Sequence, residues 1–288
     1  KAYYISKSGR PGPVVIDVPF NIQKSFININ KITKFKPPSI KYNEQKKINK
    51  AMELLKSSKR PLIVAGGGLR ISNKIKEFHN FIKKNSLPFI TTWASQDITK
   101  SSNNLYFGSA GKHAHLSASN LAINSDLILA LGVRFSPKLI ANKFGKNAKI
   151  IAIDIDNGEL NDGLVKADLR INCDLKYFFS QIKGKKLKVE KTWLLECDKE
   201  KRLNFRNYSE LPKSQKNKFV NPYDFTESLS KLVKRDAILL TDAGANLTFF
   251  MQSFQTSDKQ RIISAWGNSP MGYSIAAGIG AKIASNNK

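Results

Sequence analysis

Pro61-Leu62-Ile63-Val64-Ala65, running straight into Gly66-Gly67-Gly68, is the stretch that decides the fold. Five consecutive apolar residues suit a strand covered on both faces, and glycines let the chain turn sharply out of it. The next segment has helical spacing: Ile75, Phe78, Phe81 and Ile82 recur at intervals of three and four, predicting a helix over 73–85. Upstream, Ile48, Met52 and Leu55 predict another over 43–57. Downstream the alternation continues with strand 88–92, helix 116–124, strands 127–131 and 149–155, and helix 175–182. Short apolar runs separated by amphipathic ones indicate parallel strands with helices on both faces, a doubly wound α/β domain over 43–184.

The flanks read differently. Val14-Val15-Ile16-Asp17-Val18, closed by Pro19, has the pattern of a buried strand within a segment spanning 1–24, and a polar, proline-bearing linker covers 25–42. A second linker, 185–220, contains a charged helix over 190–207. From 221 to 288 a fresh α/β start is expected: helix 222–233, strand 237–241, helix 246–254, strand 261–264, helix 271–284. One strand without a sheet and half of a second sheet would leave backbone groups unpaired, which implies an excerpt of a longer polypeptide.

The 288 residues carry 48 Lys+Arg against 22 Asp+Glu, a formal net charge of +26, with 41% hydrophobic residues. This composition excludes a disordered chain, and the apolar stretch 127–133 is far below the roughly 20 residues of a membrane span. Cys173 and Cys197 are too few to staple a fold of this size, so a reducing, cytoplasmic setting is expected. Lysine clusters raise the reading of a basic nucleic-acid binder. Because the lysines are spread over amphipathic segments also rich in Ile and Asn, a solvated basic surface accounts for the charge, and neither nucleic acid nor membrane is expected as a partner.

Residues 66–68 bring backbone N–H groups close to a phosphate or simply make a tight strand-to-helix turn; Ile71 stands where a dinucleotide fingerprint has its third glycine. Asp154 and Asp156 close the strand 149–155 at the edge where α/β sheets hold ligands, serving either ribose hydroxyls or the turn at Asn157-Gly158. His113 and His115 lack a third ligand nearby in sequence, His79 is expected to face solvent, and Cys173 reads as a small core residue. There is no Gly-x-Ser-x-Gly elbow, phosphate-loop lysine motif or zinc spacing.

Three stretches together resemble thiamine diphosphate-dependent enzymes of the acetolactate synthase group: Gly9-Arg10-Pro11-Gly12-Pro13-Val14-Val15-Ile16-Asp17-Val18-Pro19; the run DLILALGVRFS with IIAIDID after it; and Asn268-Ser269-Pro270-Met271-Gly272-Tyr273-Ser274-Ile275-Ala276-Ala277. The resemblance spans essentially the whole chain. It implies the tail of a pyrimidine-binding domain (1–24), a complete middle domain and the first half of a diphosphate-binding domain (221–288). Thr91-Thr92-Trp93 and Val220-Asn221-Pro222-Tyr223 are closer to acetolactate synthase-like proteins of surface-polysaccharide gene sets.

By this resemblance Met271 is the apolar wedge that bends thiamine diphosphate so that it deprotonates itself, and the Ser269 carbonyl accepts a hydrogen bond from the pyrimidine amino group. Pro270 stands at the helix start, where its missing N–H costs nothing. Without the other two stretches, a Pro-started helix whose Met packs in the core would be the better account of Met271. Gly244-Ala245-Asn246 stands where synthases carry Gly-Gln-His toward the diphosphate. The implied reaction adds the cofactor ylid to a 2-oxo acid such as pyruvate, loses CO₂ to an enamine and transfers the remainder to a carbonyl or a proton. FAD in the middle domain would meet Gly66, Gly67, Gly68, Arg134 and Asp154. The Mg²⁺ motif and the activating glutamate are expected outside these 288 residues, so the segment alone is expected to be inactive and its parent a homodimer or homotetramer. The alternative is a non-catalytic module binding flavin or ADP.

Overall fold

In the computed structural model, which describes residues 1–111, 113, 115–137, 139, 143–204, 218–257 and 259–285, the alternation becomes a six-stranded, all-parallel sheet. After helices α1 (Ala2–Lys7) and α2 (Phe20–Gln23) comes α3 (Gln45–Ser57), which buries Ile48, Ala51, Met52 and Leu55 on one face. Strand β1 (Pro61–Ala65) is next, then α4 (Gly68–Ile71), α5 (Ile75–Asn85) and β2 (Phe89–Thr91). The domain continues through β3 (Tyr106–Ser109), α6 (Leu116–Asn124), β4 (Leu127–Leu131), β5 (Lys149–Asp154), α7 (Asn157–Asp162), β6 (Leu169–Asn172) and α8 (Leu175–Gln181). Strand order is β3-β2-β1-β4-β5-β6, the doubly wound order in which two halves meet between β1 and β4. Register is continuous there, from Pro61 opposite Leu127 to Ala65 opposite Leu131. Every residue of β1 and β4 is buried, as expected of central parallel strands covered by helices on both faces.

Several expectations need correction. Residues 14–18 form no strand: among the described residues no other strand lies alongside to pair with them, and Val15 is 90% exposed. The helix predicted to come directly after the glycines is preceded by the short α4, a left-handed residue at Asn73, and only then α5. Edge strands β3 and β6 and helix α7 carry no clear signal in the sequence; α7 replaces the simple bend at Asn157-Gly158.

Helix α9 (Lys191–Asn204) lies against the same core. It buries Trp193 and Cys197, and the Trp193 indole N–H donates to the Pro61 carbonyl at the start of β1 (2.9 Å). The remainder of the helix predicted to 207, with most of the connector after it, falls outside the described residues. A second unit comprises α10 (Pro222–Leu232), β7 (Ile238–Leu240), α11 (Ala245–Ser253), β8 (Arg261–Ile263) and α12 (Tyr273–Ala284), with β7 and β8 parallel. Asn221 caps α10, its side chain accepting from the Tyr223 N–H beside Pro222 in the first turn. Helix α12 starts two residues later than predicted, so Pro270 sits in the preceding turn, between left-handed Ser269 (φ 47°) and Gly272 (φ 83°).

Candidate functional site

All six parallel strands point their C-terminal ends into one cleft of about 540 Å³. Gly67 lies just after β1, Trp93 after β2, Ala110 after β3 and Arg134 after β4, and Asp154 and Asp174 lie at the ends of β5 and β6. The cleft therefore straddles the β1/β4 switch point, the position that ligands occupy in sheets of this order. Arg10 reaches it from the N-terminal segment, and Trp266 from the second unit.

The three glycines divide their work. Gly66 N–H donates to Leu131 O (3.0 Å) and Gly68 N–H to Gly132 O (3.1 Å), tying the β1 turn to the β4 turn backbone against backbone. A Cβ on Gly66 would fall 1.9 Å from Gly132 O, and one on Gly68 2.7 Å from Gly132 Cα. Gly132 itself has φ 60° and the mirror-image clash. Tight packing is thus the task of Gly66 and Gly68. Gly67 meets only Ala94, 3.8 Å away, and leaves the backbone open to the cleft. Since α4 is a single turn, close backbone approach rather than a long helix dipole is what this loop offers a phosphate.

The two carboxylates at the β5 end also separate. Asp156 caps α7, its Oδ1 accepting from the Gly158 and Glu159 N–H groups, and its Oδ2 meets Arg10 at 3.0 Å. Asp154 lines the cleft; burial pushes its carboxyl above the ordinary carboxylate value despite the Asp156 N–H it accepts (2.9 Å). Arg134 stands 3.3 Å from Glu159, which also receives Arg10 at 2.6 Å. The β4–β5–β6 side of the cleft thus carries two arginines ion-paired to Glu159 beside the carboxylates of Asp154 and Asp174, which can accept from ligand hydroxyls.

Asp97 joins the two units. Its side chain is 1% exposed, with Oδ1 accepting from Arg70 at 2.8 Å and Oδ2 from Arg261 and from the Ile262 N–H. Ser101 and Thr256 add a reciprocal set of hydrogen bonds, and Gln96 donates to Met251 O. In the second unit, Asp242 links both of its predicted site segments: Oδ1 accepts from Ala243 N–H, beside Gly244, Ala245 and Asn246, while Oδ2 accepts from Gly272 N–H and Ser274 Oγ. Those donors hold the Asp242 carboxyl below its usual range. Residues 244–246, at the start of α11, and Ser269 and Met271, before α12, thus flank one carboxylate at the C-terminal edge of β7–β8, outside the cleft. Met271 is 93% exposed and packs in no core, leaving its side chain free at the sheet edge. The turn beside it holds Gly244 at φ 103°, a conformation that favours glycine.

The histidines separate as well. His113 lines the cleft, whereas His115 is buried, its Nδ1 accepting from Ser109 N–H (3.1 Å); burial and nearby Lys201 push its pKa down to about 4. His79 does not face solvent but sits half-buried, its Nε2 bonded to the Ile98 carbonyl (2.8 Å). Cys173 is a core residue whose thiol burial pushes up to about 12. Among the described residues no three His, Cys, Asp or Glu side chains gather to hold a metal ion, so no magnesium ligand is assigned here. Sequence reading missed Asp97, Asp242, Glu159, Arg261 and Trp266. Only Asp242 left a trace, as a carboxylate directly after an apolar strand.

Comparison with known proteins finds relatives along the whole chain. Residues 48–182 match the family model for the thiamine pyrophosphate enzyme central domain. The chain is 31% identical to the acetolactate synthase large subunit of Lactococcus lactis over 300 residues, covering 100% of this chain and 50% of that protein. A probable acetolactate synthase large subunit of Methanococcus aeolicus is 30% identical over 98% of the chain and 51% of its own length. The acetolactate synthase large subunit of Buchnera aphidicola from Schizaphis graminum is 31% identical over 99% and 51%. The chain spans about half the length of the curated relatives it matches. Residues 48–182 are thus similar to the central domain of thiamine pyrophosphate enzymes, and along its whole length the chain is similar to acetolactate synthase large subunits.

Proposed function

We propose that the intact protein removes CO₂ from a 2-oxo acid such as pyruvate and passes the remaining carbon unit to an acceptor carbonyl or to a proton, using thiamine diphosphate and Mg²⁺. The observation that carries this reading is the pairing, on one carboxylate, of the 244–246 turn with the turn bearing Ser269 and exposed Met271. Thiamine diphosphate, when bound, supplies the electron sink that makes decarboxylation of a 2-oxo acid feasible. In this chain the Ser269 carbonyl would accept from the pyrimidine amino group, Met271 would pack against the cofactor rings, and N–H groups at the start of α11 would hold the diphosphate. Asp242 holds the two turns in register.

The cleft of the six-stranded domain is proposed as a nucleotide site that takes FAD, with Gly67 and Gly68 near the phosphates and Asp154 accepting ribose hydroxyls. Relatives named as acetolactate synthase large subunits support the donor, and the exposed stripe of Ile275, Ile279 and Ile283 along α12 supports assembly as a homodimer or homotetramer. No helix among the described residues is long and apolar enough to cross a membrane, and a cytoplasmic location is proposed. The test is CO₂ release by the intact protein from a panel of 2-oxo acids, with product identification. Release that requires thiamine diphosphate supports the reading. Saturable FAD or ADP binding with no release from any 2-oxo acid replaces it with the non-catalytic nucleotide module.

A further inference from the structure

The cleft is not uniform along the sheet. Its β5–β6 side carries Asp154, Asp174 and, nearby, Arg134 and Arg10; its middle is bare glycine backbone. Its β2 side carries Trp93, and there Trp266 comes across from the second unit; both indoles pack on the same small apolar cluster. Strands lie about 4.8 Å apart, so β2 to β5 spans roughly 14 Å. That distance is too long for a base and its own ribose, but suits a dinucleotide with one ribose at Asp154 and its second ring system at the tryptophans.

We propose that Trp93 and Trp266 form the ring-binding wall of this cleft, selecting a dinucleotide that carries a second planar heterocycle over a simple adenine nucleotide. The proposal rests on the cleft being a nucleotide site. The chain's third tryptophan, Trp193, lies buried at the opposite end of β1 and reports on folding without touching the ligand.

The experiment titrates FAD, and separately ADP, into the 288-residue chain and its Trp93→Leu and Trp266→Leu variants, by calorimetry and by quenching of flavin emission. Buried Trp193 fluorescence verifies the fold of each variant. Each substitution is expected to weaken FAD about five- to tenfold, the worth of one aromatic stacking contact, and to diminish the flavin quenching, while leaving ADP affinity unchanged. FAD binding that is equally tight in both folded variants overturns the tryptophan wall while leaving the nucleotide cleft standing. Weakening of ADP by the same factor places adenine at the tryptophans and overturns the selectivity. Absence of both FAD and ADP binding by the wild-type chain overturns the cleft reading, and the wall with it.

Discussion

Alanine at Gly66 and alanine at Gly67 should act in opposite directions, although the positions are adjacent. At Gly66 the new Cβ would lie 1.9 Å from Gly132 O and 2.7 Å from Val133 Cα, both backbone atoms that no rotamer change moves. The β1 and β4 turns must part by more than an ångström, which breaks or weakens the 3.0 Å Gly66–Leu131 and 3.1 Å Gly68–Gly132 hydrogen bonds. Two buried backbone hydrogen bonds at about 1 kcal/mol each, with about 1–3 kcal/mol for overpacking, give a loss of about 3–5 kcal/mol. At Gly67 the backbone is already in the right-handed helical region (φ −60°, ψ −23°), and the nearest atom to the new methyl is 3.8 Å away. Gly67→Ala should therefore be neutral or stabilise by up to about 1 kcal/mol, by restricting the unfolded chain. Urea unfolding monitored by Trp193 emission separates the two, with the midpoint expected to fall sharply for Gly66→Ala and to hold or rise for Gly67→Ala. Equal midpoints would refute the assignment of Gly66 to backbone packing and Gly67 to the open cleft.

Three further outcomes rest on single contacts. Asp97→Ala leaves Arg70 and Arg261 without their shared carboxylate and should cost about 3–5 kcal/mol, read as a lowered thermal midpoint and earlier protease cleavage between the two units. Folded His115 stays neutral down to about pH 4, whereas the unfolded chain takes up that proton near pH 6.5. The unfolded state thus binds more protons within this window, and stability should fall by up to about 3 kcal/mol as pH drops from 6.5 to 4, a slope that His115→Gln should flatten. Cys173 and Cys197, both buried with their thiols pushed up by that burial, should ignore a thiol reagent at pH 8 until denaturant is added; rapid native labelling would show that either is accessible.

Central elements were plain in the sequence because their burial is two-sided. Strands β1 and β4 and helix α6 lie where uninterrupted or periodic apolar residues put them. Edge strands are harder to see: β3 is Tyr-Phe-Gly-Ser with Gly108 at φ 103°, and β6 is Leu-Arg-Ile-Asn, half polar. Residues 14–18 fail the other way, having a strand's composition but no neighbouring strand, and composition alone pairs no backbone. Gly67 and Asp154 were readable as cleft-lining residues because strand ends are readable and α/β ligands collect there, whereas Arg134 came only through the resemblance. Asp97 was not, since its partners Arg70 and Arg261 lie 27 and 164 residues away. The same holds for Trp266, whose place in the cleft depends on how the second unit docks.

The central claim, that this chain contributes to a working thiamine diphosphate site, is tested most directly without knowing the substrate. Exchange of the cofactor's thiazolium C2 proton for deuterium can be tracked by NMR on the intact protein with Mg²⁺, beside its Met271→Ala variant. The account predicts exchange far faster than for the free cofactor, with the acceleration largely lost in Met271→Ala while the cofactor stays bound. Bound cofactor that exchanges at the free rate in the wild-type protein would contradict it.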